Sequence, residues 1–284
     1  MLKNTFQHIP GIGKKTEERI WSAGVEDWSC LDKPHHTNLS RKKIETLAAC
    51  CRESREQFAG GNPAYFEDRL SASLGWRLFP EFRGHTVYLD IETDGLDSYY
   101  GHITTIALYD GTDIFWYIKG QNLDDFKADI KKYKVIVTYN GKTFDVPFIQ
   151  EYFRIKLSHA HIDLRYVLAS LGYKGGLKCC EKSLGVGRGE LEGIDGAFAP
   201  LLWKEYQIYN SKEALETLLA YNIEDVVNLE TLMVMAYNLK IADTPFAETH
   251  LIPLPQAPKI PFKPHRQTVA KIRARLFAAN PYTY

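Results

Sequence analysis

Residues 87–96 read VYLDIETDGL, and the reading of this stretch decides the fold. Val87, Tyr88 and Leu89 announce a buried strand, because β-branched and aromatic residues suit a packed, pleated surface. Two carboxylates then interrupt it, Asp90 and Glu92. In a strand, residues i and i+2 point to the same face, so the two acids lie side by side while Leu89 and Ile91 occupy the other face. Like charges at that spacing repel, and burial raises the cost. Three remedies are open: protonation, a basic partner or a bound cation.

The surrounding sequence has the texture of a sheet. TVYLDIE (86–92), HITTIALYD (102–110), DIFWYIK (113–119) and KVIVTY (134–139) read as four short strands, with DGTD (110–113) as a tight hairpin turn. The first three are joined by short links and are expected to be antiparallel. The fourth follows a helical stretch, 122–133, and is expected to run parallel to one of them. FDVPFIQEYF (144–153) opens a further helix, and Pro147 is tolerable near its start. Beyond about residue 163 the pattern is helical, its longest run being 212–239 with a leucine-rich stripe. The predicted class is α/β, a mixed central sheet flanked by helices. Three regions follow: a helical one over 1–84, the α/β domain over 85–240, and a Pro-rich basic tail over 241–284.

Composition narrows the function classes. The 284 residues are 45% hydrophobic and 25% charged, which is ordinary for a globular chain. No apolar run is long enough to cross a membrane, and MLKNTFQHIP is not a signal peptide. Cys30, Cys50, Cys51, Cys179 and Cys180 make neither a disulfide framework nor a C-x-x-C zinc motif, so they read as reduced structural residues of a cytoplasmic protein. Net charge is zero, but it is unevenly spread. Residues 1–84 hold 13 Lys/Arg and 11 Asp/Glu, residues 85–250 hold 16 and 24, and residues 251–284 hold 6 and none. An acidic middle between less acidic ends suits a cation-dependent centre with separate basic contacts.

Two more acids complete the pattern. Asp145 follows NGKTF (140–144), where a strand ends and a helix begins, a common place for site residues in α/β sheets. Asp225 lies in YNIED (221–225) on the long helix, and Tyr221, four residues earlier, shares its face. Asp163 is either an additional ligand or the cap of a helix starting near Leu164. His159 and His161 have a zinc-like spacing but no Cys partners, and read as strand or loop residues.

In their order and spacing, DIE (90–92), NGKTFD (140–145) and YNIED (221–225) resemble the three motifs of DEDD-type 3′–5′ exonucleases in the tyrosine variant, including those of family B DNA polymerases. IDLR (162–165) and GGLKCCEKSLGVGR (175–188) bring the chain closest to the YprB-type predicted exonucleases. The resemblance covers roughly residues 86–240. It implies a ribonuclease H-like fold and two Mg²⁺ or Mn²⁺ ions held by Asp90, Glu92, Asp145 and Asp225, with Tyr221 orienting the attacking water. It also implies substrate contacts from Thr93, Leu96, Asn140 and Phe144, and phosphate contacts from Lys178 and Arg188. Asp94 departs from the commoner D-x-E-T-T-G-L pattern and adds negative charge near the expected substrate.

The ends of the chain carry further signals. HIPGIGKKTEERI (8–20) resembles a helix–hairpin–helix DNA-binding element: Gly11 and Gly13 permit a tight turn, and the N–H groups of the next helix, with Lys14 and Lys15, suit a duplex phosphate. The tail from Lys263 to Arg275 is either a phosphate clamp or a helix docked on the core, with Val269, Ile272 and Leu276 on one face. The leading expectation is a metal-dependent 3′–5′ exonuclease acting on single-stranded 3′ ends, with DNA favoured, and releasing nucleoside 5′-monophosphates. A structure-specific endonuclease and a catalytically silent nucleic-acid-binding subunit are the alternatives.

Overall fold

The computed structural model describes residues 1–30, 39–95 and 101–279. Its centre is a five-stranded mixed sheet: β1 (Thr86–Thr93), β2 (Ile103–Tyr109), β3 (Ile114–Ile118), β4 (Val135–Thr138) and β5 (Ala160–Asp163), in the order β3-β2-β1-β4-β5. The first three strands pair antiparallel; β4 runs parallel to β1, and β5 parallel to β4. The four strands visible as apolar runs form as expected. The fifth, AHID, is too short to carry a period of its own and is defined by its pairing, such as Val137 with Ile162.

The described α-helices of six or more residues, in chain order, are α1 (Lys14–Ser22), α2 (Arg41–Ala59), α3 (Asp145–Phe153), α4 (Leu164–Ala169), α5 (Leu177–Leu184), α6 (Phe198–Tyr209), α7 (Lys212–Ile241) and α8 (Arg266–Ala279). None of the described helices is long and apolar enough to cross a membrane. None of the five cysteines is in a disulfide.

The alternation of β1 separates two cores. Val87, Leu89 and Ile91 join Ile106, Phe126, Ile136 and Phe148 on one side of the sheet. Tyr88 joins Ala107, Leu218 and Tyr237 on the other, the side covered by α7. Full burial of each aliphatic side chain stabilises the fold by about 1.5–3 kcal/mol. Asp90 and Glu92 share the face of Tyr88, so they meet α7 where it carries Asn222 and Asp225. In β2, Ala107 lies opposite Asp90 and Thr105 opposite Glu92. The small alanine leaves room above the first acid.

The N-terminal region is part of the same core. Leu2, Phe6, Ile20, Trp21 and Phe66 are continuous with Tyr88 and Tyr237, across the boundary expected near residue 84. Its anchor is a buried ion pair: Arg77 donates to both carboxylate oxygens of Glu17, at 2.7 and 2.8 Å. Glu17 also accepts the backbone N–H of Phe6 at 2.7 Å and of Gln7 at 3.2 Å. One α1 carboxylate therefore organises the turn before the hairpin and ties it to the segment leading into the sheet. Before Gly11 the chain forms the 3-10 turn Leu2–Asn4 and further turns, not an α-helix.

The tail resolves its two alternatives toward docking. Ile272 is fully buried. Lys271 and Arg275 both pair with Glu205 of α6, and the ring of Phe262 packs edge-on against Trp116. Breaking a buried ion pair from one side leaves an uncompensated charge and costs about 3–5 kcal/mol. Arg77→Met is accordingly expected to lower the unfolding free energy by about that amount in urea titration. Arg77→Met combined with Glu17→Leu is expected to recover part of the loss.

Candidate metal centre

β1 and α7 bring the acids together. One carboxylate oxygen each from Asp90, Glu92 and Asp225 lies within 4.8 Å of the others. Asp145, at the start of α3, accepts the Ile91 N–H at 3.2 Å, and so sits against the backbone between Asp90 and Glu92. Burial raises the Asp90 carboxyl well above its usual range, and the charge of Asp225 pushes it further; the same two causes raise Glu92. Asp145 is pushed up to about 7, mainly by burial. A divalent cation among carboxylates crowded and desolvated in this way would relieve their repulsion. Hard divalent ions prefer such oxygen donors, so the donor set fits Mg²⁺ or Mn²⁺.

The sequence reading missed the residues that hold this cluster in place. Asn222 of α7 is fully buried, donates to Asp90 Oδ2 at 2.6 Å and accepts from Thr105 Oγ1 at 3.0 Å. It therefore bolts the helix to both β1 and β2. Its signal was present: a buried polar residue between Tyr221 and Asp225 needs partners. Glu181 of α5 is the second, buried beside Asn228, which donates to it at 2.9 Å.

Arg188 departs from expectation. Instead of facing a phosphate backbone it is 6% exposed. One side of its guanidinium donates to both oxygens of Glu181, at 2.8 and 2.7 Å, and another nitrogen donates to Asp225. The physical reason is charge balance: Glu181 and Asp225 are both buried, and a bidentate arginine is the cation that satisfies two carboxylates at once. Arg188 is a structural counter-ion of the acidic centre.

Tyr221 and Lys178 meet as a pair. Tyr221 is 4% exposed, and its hydroxyl accepts from Lys178 Nζ at 2.7 Å. Burial, then the charge of Asp225, holds the phenol well above its ordinary pKa, while burial lowers that of Lys178. A phenol held protonated next to an ammonium can donate a hydrogen bond but is no base.

Thr93 follows a bulge in β1 and donates to the Gly95 carbonyl at 2.7 Å. Leu96 lies outside the described residues. Asp94 has a local role: its carboxylate accepts the His102 N–H at 2.6 Å and lies 3.5 Å from Lys119 Nζ, which closes the connection from β1 to β2. Phe144 precedes α3 and packs against Phe148. Asn140 adopts a left-handed backbone, φ 68°, in a loop organised by Asp163. That carboxylate accepts the N–H groups of Asn140 at 2.7 Å, Lys142 at 3.0 Å and Arg165 at 3.0 Å. Asp163 is thus a cap and loop organiser. Gly141 permits the loop's close approach, since a Cβ there would fall 2.6 Å from that of Thr138. His161 of β5 bonds Thr138, and His159, in the bend just before that strand, bonds the Ile130 carbonyl. Gly11, Gly13, Lys14 and Lys15 are exposed at the start of α1, with open space at both glycines.

Among solved structures, the chain is similar to the family B DNA polymerase of the hyperthermophilic archaeon Pyrobaculum calidifontis, at 18% identity and a TM-score of 0.41, over 55% of this chain and 24% of the polymerase. It is also similar to NrnC of Brucella melitensis in two structures, one of them with bound Mg²⁺, at 16% identity and a TM-score of 0.39, over 72% of this chain and 92% of that one. No curated protein sequence matches. The family model of the RNase H superfamily matches residues 87–237, from the first acidic strand to near the end of α7 and over half of the chain. The chain belongs to the ribonuclease H superfamily.

Proposed function

We propose that the protein is a divalent-metal-dependent 3′–5′ exonuclease that shortens single-stranded nucleic acid, DNA in preference, releasing nucleoside 5′-monophosphates. The observation that carries this reading is the convergence of Asp90, Glu92 and Asp225 within 4.8 Å, with Asp145 against the intervening backbone. Phosphodiester hydrolysis needs an activated water and charge neutralisation on the phosphate, both of which divalent cations supply when bound. Asp90, Glu92, Asp145 and Asp225 would hold two Mg²⁺ or Mn²⁺ ions.

The protein's own groups do the positioning. Asn222 keeps the Asp90 carboxylate aimed into the cluster. Arg188, braced by Glu181, keeps the Asp225 carboxylate oriented. Lys178 occupies a lone pair of the Tyr221 oxygen, so the phenolic hydrogen is left to donate to the attacking water or the phosphate. Tyr221 therefore orients and does not abstract a proton. Thr93, Asn140 and Phe144 would meet the terminal nucleotide. Gly11, Gly13, Lys14 and Lys15 offer a separate, sequence-independent contact to duplex phosphate.

A 5′-labelled single strand incubated with Mg²⁺ or Mn²⁺ is expected to shorten progressively from its 3′ end, and EDTA is expected to stop it. Cleavage of a circular strand would overturn the exonuclease mode. Asp90→Asn and Asp225→Asn are each expected to lower the rate by about 10³-fold or more, corresponding to ~4 kcal/mol of lost transition-state stabilisation. Tyr221→Phe is expected to lower kcat by about 10²-fold, with the Mn²⁺-induced rise in melting temperature retained. In EDTA, Asp90→Asn is expected to melt at a higher temperature than wild type, because it removes one of the crowded charges. Added Mn²⁺ is expected to stabilise wild type far more than this variant.

A further inference from the structure

Beside the acidic centre lies a cavity of about 820 Å³. Its lining includes Tyr139, Tyr166 and Tyr173, the cations Arg165 and Lys174, and Asn140; no carboxylate lines it. All three rings are partly exposed. Tyr139 and Tyr173 rest on the core beneath, and the Tyr139 hydroxyl is 3.6 Å from Cys180 Sγ. The cavity is joined to the centre at two points. At one rim, Asn140 begins the loop that delivers Asp145. At the other, Gly175 and Gly176 lead into α5, whose first turn carries Lys178, the partner of Tyr221. Gly176 caps α5 with φ 93° and open space where a Cβ would stand, so the first N–H groups of that helix are approachable.

Asn140 supplies an independent observation. Its left-handed backbone is a conformation that side chains adopt sparingly. Its Oδ1 accepts from Thr143 Oγ1 and from Arg165. Two donors on one oxygen fix the amide and leave Nδ2, which bonds to none of the described residues, as the group free to donate. Partly exposed aromatic faces, cations that form no salt bridge among the described residues and a fixed amide donor together form the equipment that binds unpaired nucleotides: rings stack with bases while cations follow the phosphates.

We propose that this cavity is a stacking subsite for the nucleotides immediately 5′ of the scissile linkage. Tyr166 and Tyr173 provide the stacking surface, Arg165 and Lys174 meet the phosphates, and the α5 N-terminus hands the strand to Lys178 and Tyr221. The assignment rests on the exonuclease reading for its polarity, because the 3′ residue occupies the acidic centre and the strand must leave in the 5′ direction. It predicts that affinity depends on bases that are not themselves being released.

The test uses the full chain in the Asp90→Asn background with Mg²⁺, so that the strand is retained. The probe is 5′-fluorescein-labelled deca-thymidylate, read by anisotropy. Tyr166→Ala with Tyr173→Ala is expected to weaken binding by about tenfold or more, and Tyr166→Phe with Tyr173→Phe is expected to restore it. Replacing the second nucleotide from the 3′ end by an abasic unit is expected to weaken binding to the parent but to add little to the loss in the alanine pair. Unchanged affinity in the alanine pair, or fully additive losses, would overturn the subsite. If the alanine pair fails to fold, Arg165→Gln with Lys174→Gln takes its place, because both side chains are exposed. That variant is expected to bind more weakly with a shallower salt dependence, and unchanged binding again overturns the proposal. The two readings fail separately. Tyrosine-dependent binding by a protein that degrades no strand would leave the subsite standing and remove the exonuclease. Degradation by wild type without any tyrosine or abasic effect would do the reverse.

Discussion

The crowding of carboxylates between β1 and α7 is the constraint on which the rest of the structure depends. Asp90, Glu92, Asp145 and Asp225 are held largely out of water, and at that spacing each raises the cost of ionising its neighbours. A fold tolerates this only if rigid elements force the groups together and other charges offset part of the repulsion. The rigid elements are a central strand, locked between β2 and β4, and a 30-residue helix that is buried over most of its length. The offset comes from Arg188 and Lys178. What they leave uncompensated is negative charge that a cation could offset.

The same constraint explains why so much of the polar interior is used for holding and not for contact. Asn222 ties Asp90 to α7 and, through Thr105, to β2. Glu181 holds the arginine that holds Asp225. Asp163 gathers three backbone N–H groups and thereby shapes the loop that ends in Asp145. Each of these residues is buried, and each would be costly without its partners. A centre that must keep its donors close against their repulsion needs this supporting layer more than an uncharged pocket would. The loop shaped by Asp163 also forms one rim of the tyrosine-lined cavity, so one carboxylate orders both the acidic centre and the surface beside it.

The mixed sheet, and the element faces that carry the acids and the tyrosine, were legible because each follows from local spacing. Alternation put Asp90 and Glu92 on one face of β1, and helical spacing put Tyr221 and Asp225 on one face of α7. Arg188 was misread for the opposite reason. An arginine in a Gly-rich loop looks solvent-facing until Glu181 and Asp225, seven and thirty-seven residues away, are brought around it. The tail was undecided in sequence because a basic amphipathic helix serves a phosphate or a groove equally well. Glu205, which settles the matter, comes from a different helix.

By itself, the sequence determined which residues are acidic, which face of each element they occupy and which strands run antiparallel, since all of these follow from periodicities of two and 3.6 residues and from short connections. Only the tertiary structure decided which cations answer those acids, where β5 pairs, and that residues 139–140, 165–166 and 173–176 enclose a single cavity. These are relations between segments distant along the chain, and they exist only after the sheet and α7 have packed.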